Sequence, residues 1–234
     1  MQRALALTGL AATLALTSLP AAADLAFNAS LTSDYRYRGI SQTRLKPALQ
    51  GGVDYSAGAF YLGAWGSTIK WIKDAGGDAS AEFDLYGGYK TEIASGLTLD
   101  VGVLQYLYPS NRLNPSANTF EGYGALSFGP ATFKVSRSFS NLFGFADSKG
   151  SMYYDLSASF DLGDGWSLAP HIGRQTVKNL GSASYTDYAL TLNKAIGALT
   201  LSAGLVDAST KAYFGPGGKD LGASRVVVSA KYTF

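Results

Sequence analysis

Charged side chains recur at every second position in several segments of this chain, and that spacing limits the chemistry they can share. Asp34-Tyr-Arg36-Tyr-Arg38 is the sharpest case. At period two, its aspartate and two arginines fall on one face of a strand. Two guanidinium groups so placed can hold an anionic group or line a constriction. They can also form an internal ion-pair network with Asp34, Asp54 or Asp84, which is the commoner arrangement and the one expected here. His171 lies inward on the strand next to the one that carries Ser157, Ser159, Asp155 and Asp161, nominally a Ser-His-Asp set for lipid hydrolysis. That face is read as turned away from lipid, so a structural histidine and no catalytic residue are expected. With no cysteine and one histidine, neither a thiolate site nor a multi-histidine metal site can be built. No glycine-rich phosphate loop opens a helix, so no cofactor is expected.

The elements that must position these residues are strands. The 234 residues include 28 Gly, 15 Tyr and 12 Phe, a composition poor for helices and good for strands. A hydrophobic content of 47% excludes a disordered chain, and a net charge of +2 gives no footprint for nucleic acid. Arg3, the apolar run Ala4 to Leu16 and Ala21-Ala22-Ala23 read as a secretory signal peptide over residues 1–23. The remaining residues, 24–234, form the mature domain.

Period-two alternation runs through nearly all of that domain. It predicts twelve strands, over 25–38, 46–55, 60–66, 80–90, 97–108, 119–128, 131–139, 151–162, 166–177, 185–194, 199–206 and 222–234. The connections alternate between short ones of about two to six residues and long ones of about seven to fifteen. Several strands are longer than the usual five or six residues, and a membrane strand needs about nine to eleven. Short turns on one side and long loops on the other mark an outer-membrane barrel. The fold expected is all-β: a transmembrane antiparallel up-and-down β-barrel of twelve strands, closed because lipid cannot satisfy a sheet edge.

The polar phase then faces the lumen. Its pore-lining candidates are Asp34, Arg36, Arg38, Asp54, Glu82, Asp84, Asp100, Lys134, Asp155, His171, Arg225 and Lys231. Acidic and basic members are nearly balanced, so the sequence assigns neither an anion nor a cation preference. Small inward residues such as Ala48, Gly52, Gly102 and Gly173 point to open volume, while twelve strands permit either an open or a filled lumen. Two aromatic girdles are expected. One holds Tyr35, Tyr37, Tyr106, Tyr108, Tyr153, Tyr154 and Tyr185 near the long loops. The other holds Phe60, Tyr61, Phe128, Phe160, Trp166, Tyr232 and Phe234 near the short turns.

Several segments carry a resemblance that spans the mature chain. They include Ser33-Asp-Tyr-Arg-Tyr-Arg-Gly-Ile-Ser-Gln-Thr43, Pro47-Ala-Leu-Gln-Gly-Gly-Val-Asp-Tyr55, Gly63-Ala-Trp-Gly-Ser67, Asp84-Leu-Tyr-Gly-Gly-Tyr-Lys90, Ser148-Lys-Gly-Ser151 and Arg225-Val-Val-Val-Ser229. The chain resembles the TorF-family porins, the Gcw_chp group of uncharacterised proteobacterial outer-membrane proteins. The resemblance implies an outer-membrane location and a porin-like role, with no catalytic residue and no known substrate. Tyr232 and Phe234 resemble the terminal signal read by the barrel-assembly machinery. The expected function is a channel for passive diffusion of small polar or charged solutes, and the alternative is a non-conducting structural or surface-interaction barrel. Expected partners are outer-membrane lipid, the assembly machinery and small solutes, without nucleic acid.

Overall fold

The computed structural model describes residues 23–234; the expected leader lies outside them apart from its last residue. Twelve antiparallel strands follow one another around a closed barrel. They are β1 (Asp24–Thr32), β2 (Ala48–Ala57), β3 (Phe60–Thr68), β4 (Ala81–Ala94), β5 (Leu97–Leu107), β6 (Thr119–Phe128), β7 (Ala131–Ser138), β8 (Met152–Ala158 and Phe160–Gly163), β9 (Trp166–Thr176), β10 (Tyr185–Ile196), β11 (Leu199–Ala208) and β12 (Arg225–Thr233). Each pairs with its sequence neighbours, and β12 closes the sheet on β1 in the register Asn28 to Thr233. The Phe234 N–H donates to the Phe27 carbonyl at 2.9 Å, which extends the seam by one bond. Closure leaves no edge for another chain to join.

Alternation decides which residues face outward. Leu49, Leu62, Phe128, Val226 and Phe234 are each more than half exposed, so large apolar residues form the outside of the barrel rather than a core. Such a belt suits lipid. The five short connections are two-residue turns. Asp164 and Gly165 show why: both have positive φ (50° and 77°), the geometry that matches strand twist and that glycine adopts freely.

Three departures from the expected strands have local causes. The first strand ends at Thr32 rather than 38, and the remaining residues turn into a separate ribbon in which Arg36–Tyr37 pairs with Ile40–Ser41. The ribbon keeps the period-two pattern, so alternation could not reveal the break. β8 is interrupted at Ser159, whose N–H donates to the Pro130 carbonyl. β4 runs on to Ala94 through a register shift between Glu92 and Ala94.

Candidate functional site

The ribbon crosses the lumen at the long-loop end. Asp34 builds its base: one carboxylate oxygen accepts from Ser41 Oγ at 2.5 Å and Thr43 Oγ1 at 3.1 Å, and the other pairs with Arg36 Nε at 2.6 Å. Arg36 then donates to the carbonyls of Gly39, Leu221 and Ala223, which ties the ribbon to the last long loop. At the tip, Arg38 and Gly39 both have positive φ (45° and 79°), an unfavourable backbone for arginine that the surroundings must hold. Gly39 is also required sterically. A Cβ there would meet that of Asp187 at 2.7 Å.

Arg38 is clamped from the far wall. It pairs with Glu121 on β6 at 2.6 Å and donates to Gln175 Oε1 on β9 at 2.6 Å. Its guanidinium carbon lies 4.2 Å from the ring centre of Tyr153 on β8 and 4.9 Å from that of Tyr37. Asp34, Arg36 and Arg38 are therefore not three residues on one strand face, as the alternation suggested. They are the base, anchor and tip of a ribbon. The ion-pair network expected for the arginines is present through Asp34, and Glu121 is the partner of Arg38 rather than Asp54 or Asp84.

Around the ribbon the lumen is packed with tyrosine. Tyr35 stacks edge-on against Trp65 at 5.4 Å and donates to Glu82 at 3.1 Å. The Tyr37 hydroxyl meets that of Tyr106 at 2.5 Å, and Tyr106 reaches Glu121 at 3.3 Å. Tyr35, Tyr106, Tyr108, Tyr153 and Tyr185 are buried, so they do not form the upper girdle assigned to them. Of that set, Tyr154 is the one that is exposed, at 39%. The exposed aromatics toward this end also include Phe83, Phe120, Phe139 and Tyr188. The lower girdle is as expected, with the exception of Tyr61, which bonds Asp100 at 2.6 Å in the lumen.

The inward glycines seat these rings rather than leave space. Gly63 lies opposite Tyr86, Gly88 opposite Tyr61, and Gly102 opposite Tyr123. A Cβ at Gly63 or Gly102 would stand 2.5 Å from the facing tyrosine. At Gly173 it would strike the Tyr153 hydroxyl. Covering a glycine with an aromatic ring from the next strand buries its bare backbone.

The remaining candidates sort by depth. Glu82 and Asp84 are buried within the tyrosine layer, and among the described residues Glu82 Oε2 and both oxygens of Asp84 have no hydrogen-bond partner. Asp54, Asp100, Lys134, Asp155, His171 and Lys231 lie deeper toward the short turns and are half-buried. Tyr86 donates to Asp54, and Lys134 sits 3.7 Å from the Tyr123 ring centre. His171 Nε2 contacts Asp155 at 2.6 Å and the Tyr153 hydroxyl at 3.2 Å, and Tyr153 bonds Asp187 at 2.8 Å. A hydrolytic triad would place that nitrogen on a serine hydroxyl, whereas here it serves a carboxylate–tyrosine relay across β8, β9 and β10. Arg225 is exposed at the long-loop rim. Tyr232 and Phe234 point outward on the closing strand with ring centres 5.0 Å apart. Gln175, Tyr106 and Tyr153 were not singled out as inward-facing from the sequence. The usable signal was a tyrosine opposite a glycine on adjoining strands, as at Gly102 and Tyr123.

Residues 19–234 match the family model described as a bacterial protein of unknown function, Gcw_chp, and the chain belongs to that family. The narrower TorF designation is not part of that description. No curated protein matches the sequence. Among solved structures, the KdgM porin in complex with disordered oligogalacturonate aligns at a TM-score of 0.58 and 8% identity, covering 91% of this chain and 99% of that one. The NanC porin aligns at 0.57 and 11% identity, covering 90% and 99%. The protein therefore has the fold of an outer-membrane porin.

Proposed function

We propose that this Gcw_chp barrel is an outer-membrane channel for passive diffusion of small polar or charged solutes, closed at its long-loop end by the ribbon over residues 33–47. The carrying observation is a half-buried polar lumen, lined by Asp54, Asp100, Lys134, Asp155 and Lys231, that ends at the Arg38 clamp. Passage requires the clamp to release. Asp34, Glu121 and Asp187 outnumber Arg36 and Arg38 at the closed level, so the opened path favours cations over anions. KdgM holds an acidic oligosaccharide; the acidic excess here argues against carrying that substrate over. The outer belt contacts membrane lipid. Residues 1–23 serve as the export leader, and Tyr232 and Phe234 as the signal to the barrel-assembly machinery. The barrel works without catalysis, since His171 is committed to Asp155 and Tyr153.

The buried tyrosine layer favours a second reading, a non-conducting barrel whose loops meet a partner. Planar-bilayer recordings of the native protein and Arg38→Ala separate the two. A channel gives small or rare conductance steps that grow severalfold in the variant, with a cation-selective reversal potential. Silence from both proteins over repeated insertions supports the structural barrel.

A further inference from the structure

Beside the ribbon at the long-loop end lies a cavity of about 420 Å³. Five of the six long connections contribute to its wall, together with Gln175 and Tyr185 at the strand ends. That volume falls within the range of small-molecule sites. The wall is aromatic and already braced. Trp71 meets Tyr108 edge-on at 5.2 Å and Phe143 at 6.5 Å, and Tyr185 meets Tyr213 at 5.3 Å. Rings held by one another lose little freedom when a ligand stacks on them.

The charge of the wall is equally specific. It holds no lysine, arginine or histidine among the described residues, and its one carboxylate, Asp74, already binds Arg44 Nε at 2.6 Å. Gln175 accepts from Arg38 and donates to the Met152 carbonyl, and the Tyr213 hydroxyl donates to the Ala183 carbonyl, whereas Trp71 Nε1 and Asp74 Oδ2 have no hydrogen-bond partner among the described residues, one donor and one acceptor that suit a neutral ligand. An anion would find no counter-charge and would face Asp74. We infer that this cavity binds an uncharged, ring-bearing small molecule by aromatic stacking. Such binding is independent of whether the barrel conducts, so it is read by binding rather than by current.

The test is titration calorimetry of the full barrel in lipid nanodiscs, with benzyl alcohol and benzoate as probes and empty discs as the control for partitioning. The expected result is saturable one-to-one binding of benzyl alcohol and at least about tenfold weaker binding of benzoate. Ala75 and Ala212 line the cavity with exposed side chains, so phenylalanine at either position fills space without entering the packed layer. Ala75→Phe and Ala212→Phe should each weaken benzyl alcohol at least about tenfold, while gel mobility still changes on boiling, which shows that the barrel has formed. Three results would each overturn the proposal: no saturable heat beyond that of empty discs, benzoate binding as tightly as benzyl alcohol, or undiminished binding in both folded variants.

Discussion

The two ends of the lumen solve the same problem in opposite ways. Toward the short turns, acidic and basic residues are interspersed and half-buried: Asp54, Asp100 and Asp155 against Lys90, Lys134 and Lys231. Toward the long loops, acidic residues dominate, the charges are buried, and tyrosines fill the space between them. Water and neighbouring opposite charges satisfy the first set. The second depends on particular partners, because a charge withdrawn from water is costly without one. Glu121 has Arg38, and Asp34 has Arg36. Neither oxygen of Asp84 has a hydrogen-bond partner among the described residues.

The largest effect should come from severing the clamp. Arg38→Ala leaves Glu121 buried and unpaired, and should destabilise the barrel by about 3–5 kcal/mol in urea titrations. Adding Glu121→Ala should recover much of that loss without restoring closure, which would separate stability from gating. Next comes a tyrosine seat. Gly63→Val drives a side chain into Tyr86 and should cost about 1–3 kcal/mol. A Cβ at Gly124 meets nothing nearer than Val101 at 3.9 Å, so Gly124→Val should be far milder in the same titration. A smaller effect is expected at the wet end. Lys134→Gln on the Arg38→Ala background should shift the reversal potential toward cations, while stability falls by about 0.5–1 kcal/mol from the lost contact with Tyr123. If Lys134→Gln unfolds the barrel as severely as Arg38→Ala, the contrast between the ends fails.

The smallest effect lies in the last long loop, outside the barrel wall. The hydrogen bond from Lys211, at 2.9 Å, holds the Asp220 carboxyl below its ordinary range. Because the folded value is the lower one, the stabilisation is full above the unfolded carboxylate range, near pH 4, and fades as pH falls through the folded value. Lys211→Met should raise the Asp220 titration midpoint by NMR and loosen the loop to proteolysis at neutral pH. At strongly acid pH the variant and the native protein should behave alike.

The barrel was legible because lipid and lumen impose period two on every strand, and because turn lengths alternate along the chain. The distinction between a strand and the ribbon was not legible. Tyr35 and Tyr37 alternate with Asp34, Arg36 and Arg38 just as they would on a wall, and only the Arg38-Gly39 turn marks the fold-back. The same ambiguity moved the tyrosines: Tyr106 and Tyr108 near a strand end fit an interfacial girdle as well as a lumen packing. What settles them is the neighbour across the sheet, which depends on register rather than on sequence position. Inward glycines misled for the same reason, since Gly102 signifies space only if no Tyr123 faces it.

The seam between β1 and β12 has a kinetic consequence. Thr32 Oγ1 and the Val228 carbonyl meet across a sequence separation of 196 residues. The other strand pairings join chain neighbours and can zip locally, but this one waits until β12 has been made and brought round to β1. Contacts so distant in sequence form slowly. Until they do, β1 and β12 present unpaired backbone flanked by apolar side chains, an invitation to aggregate. The time between synthesis of β1 and its meeting with β12 is therefore the interval in which this chain most needs a chaperone.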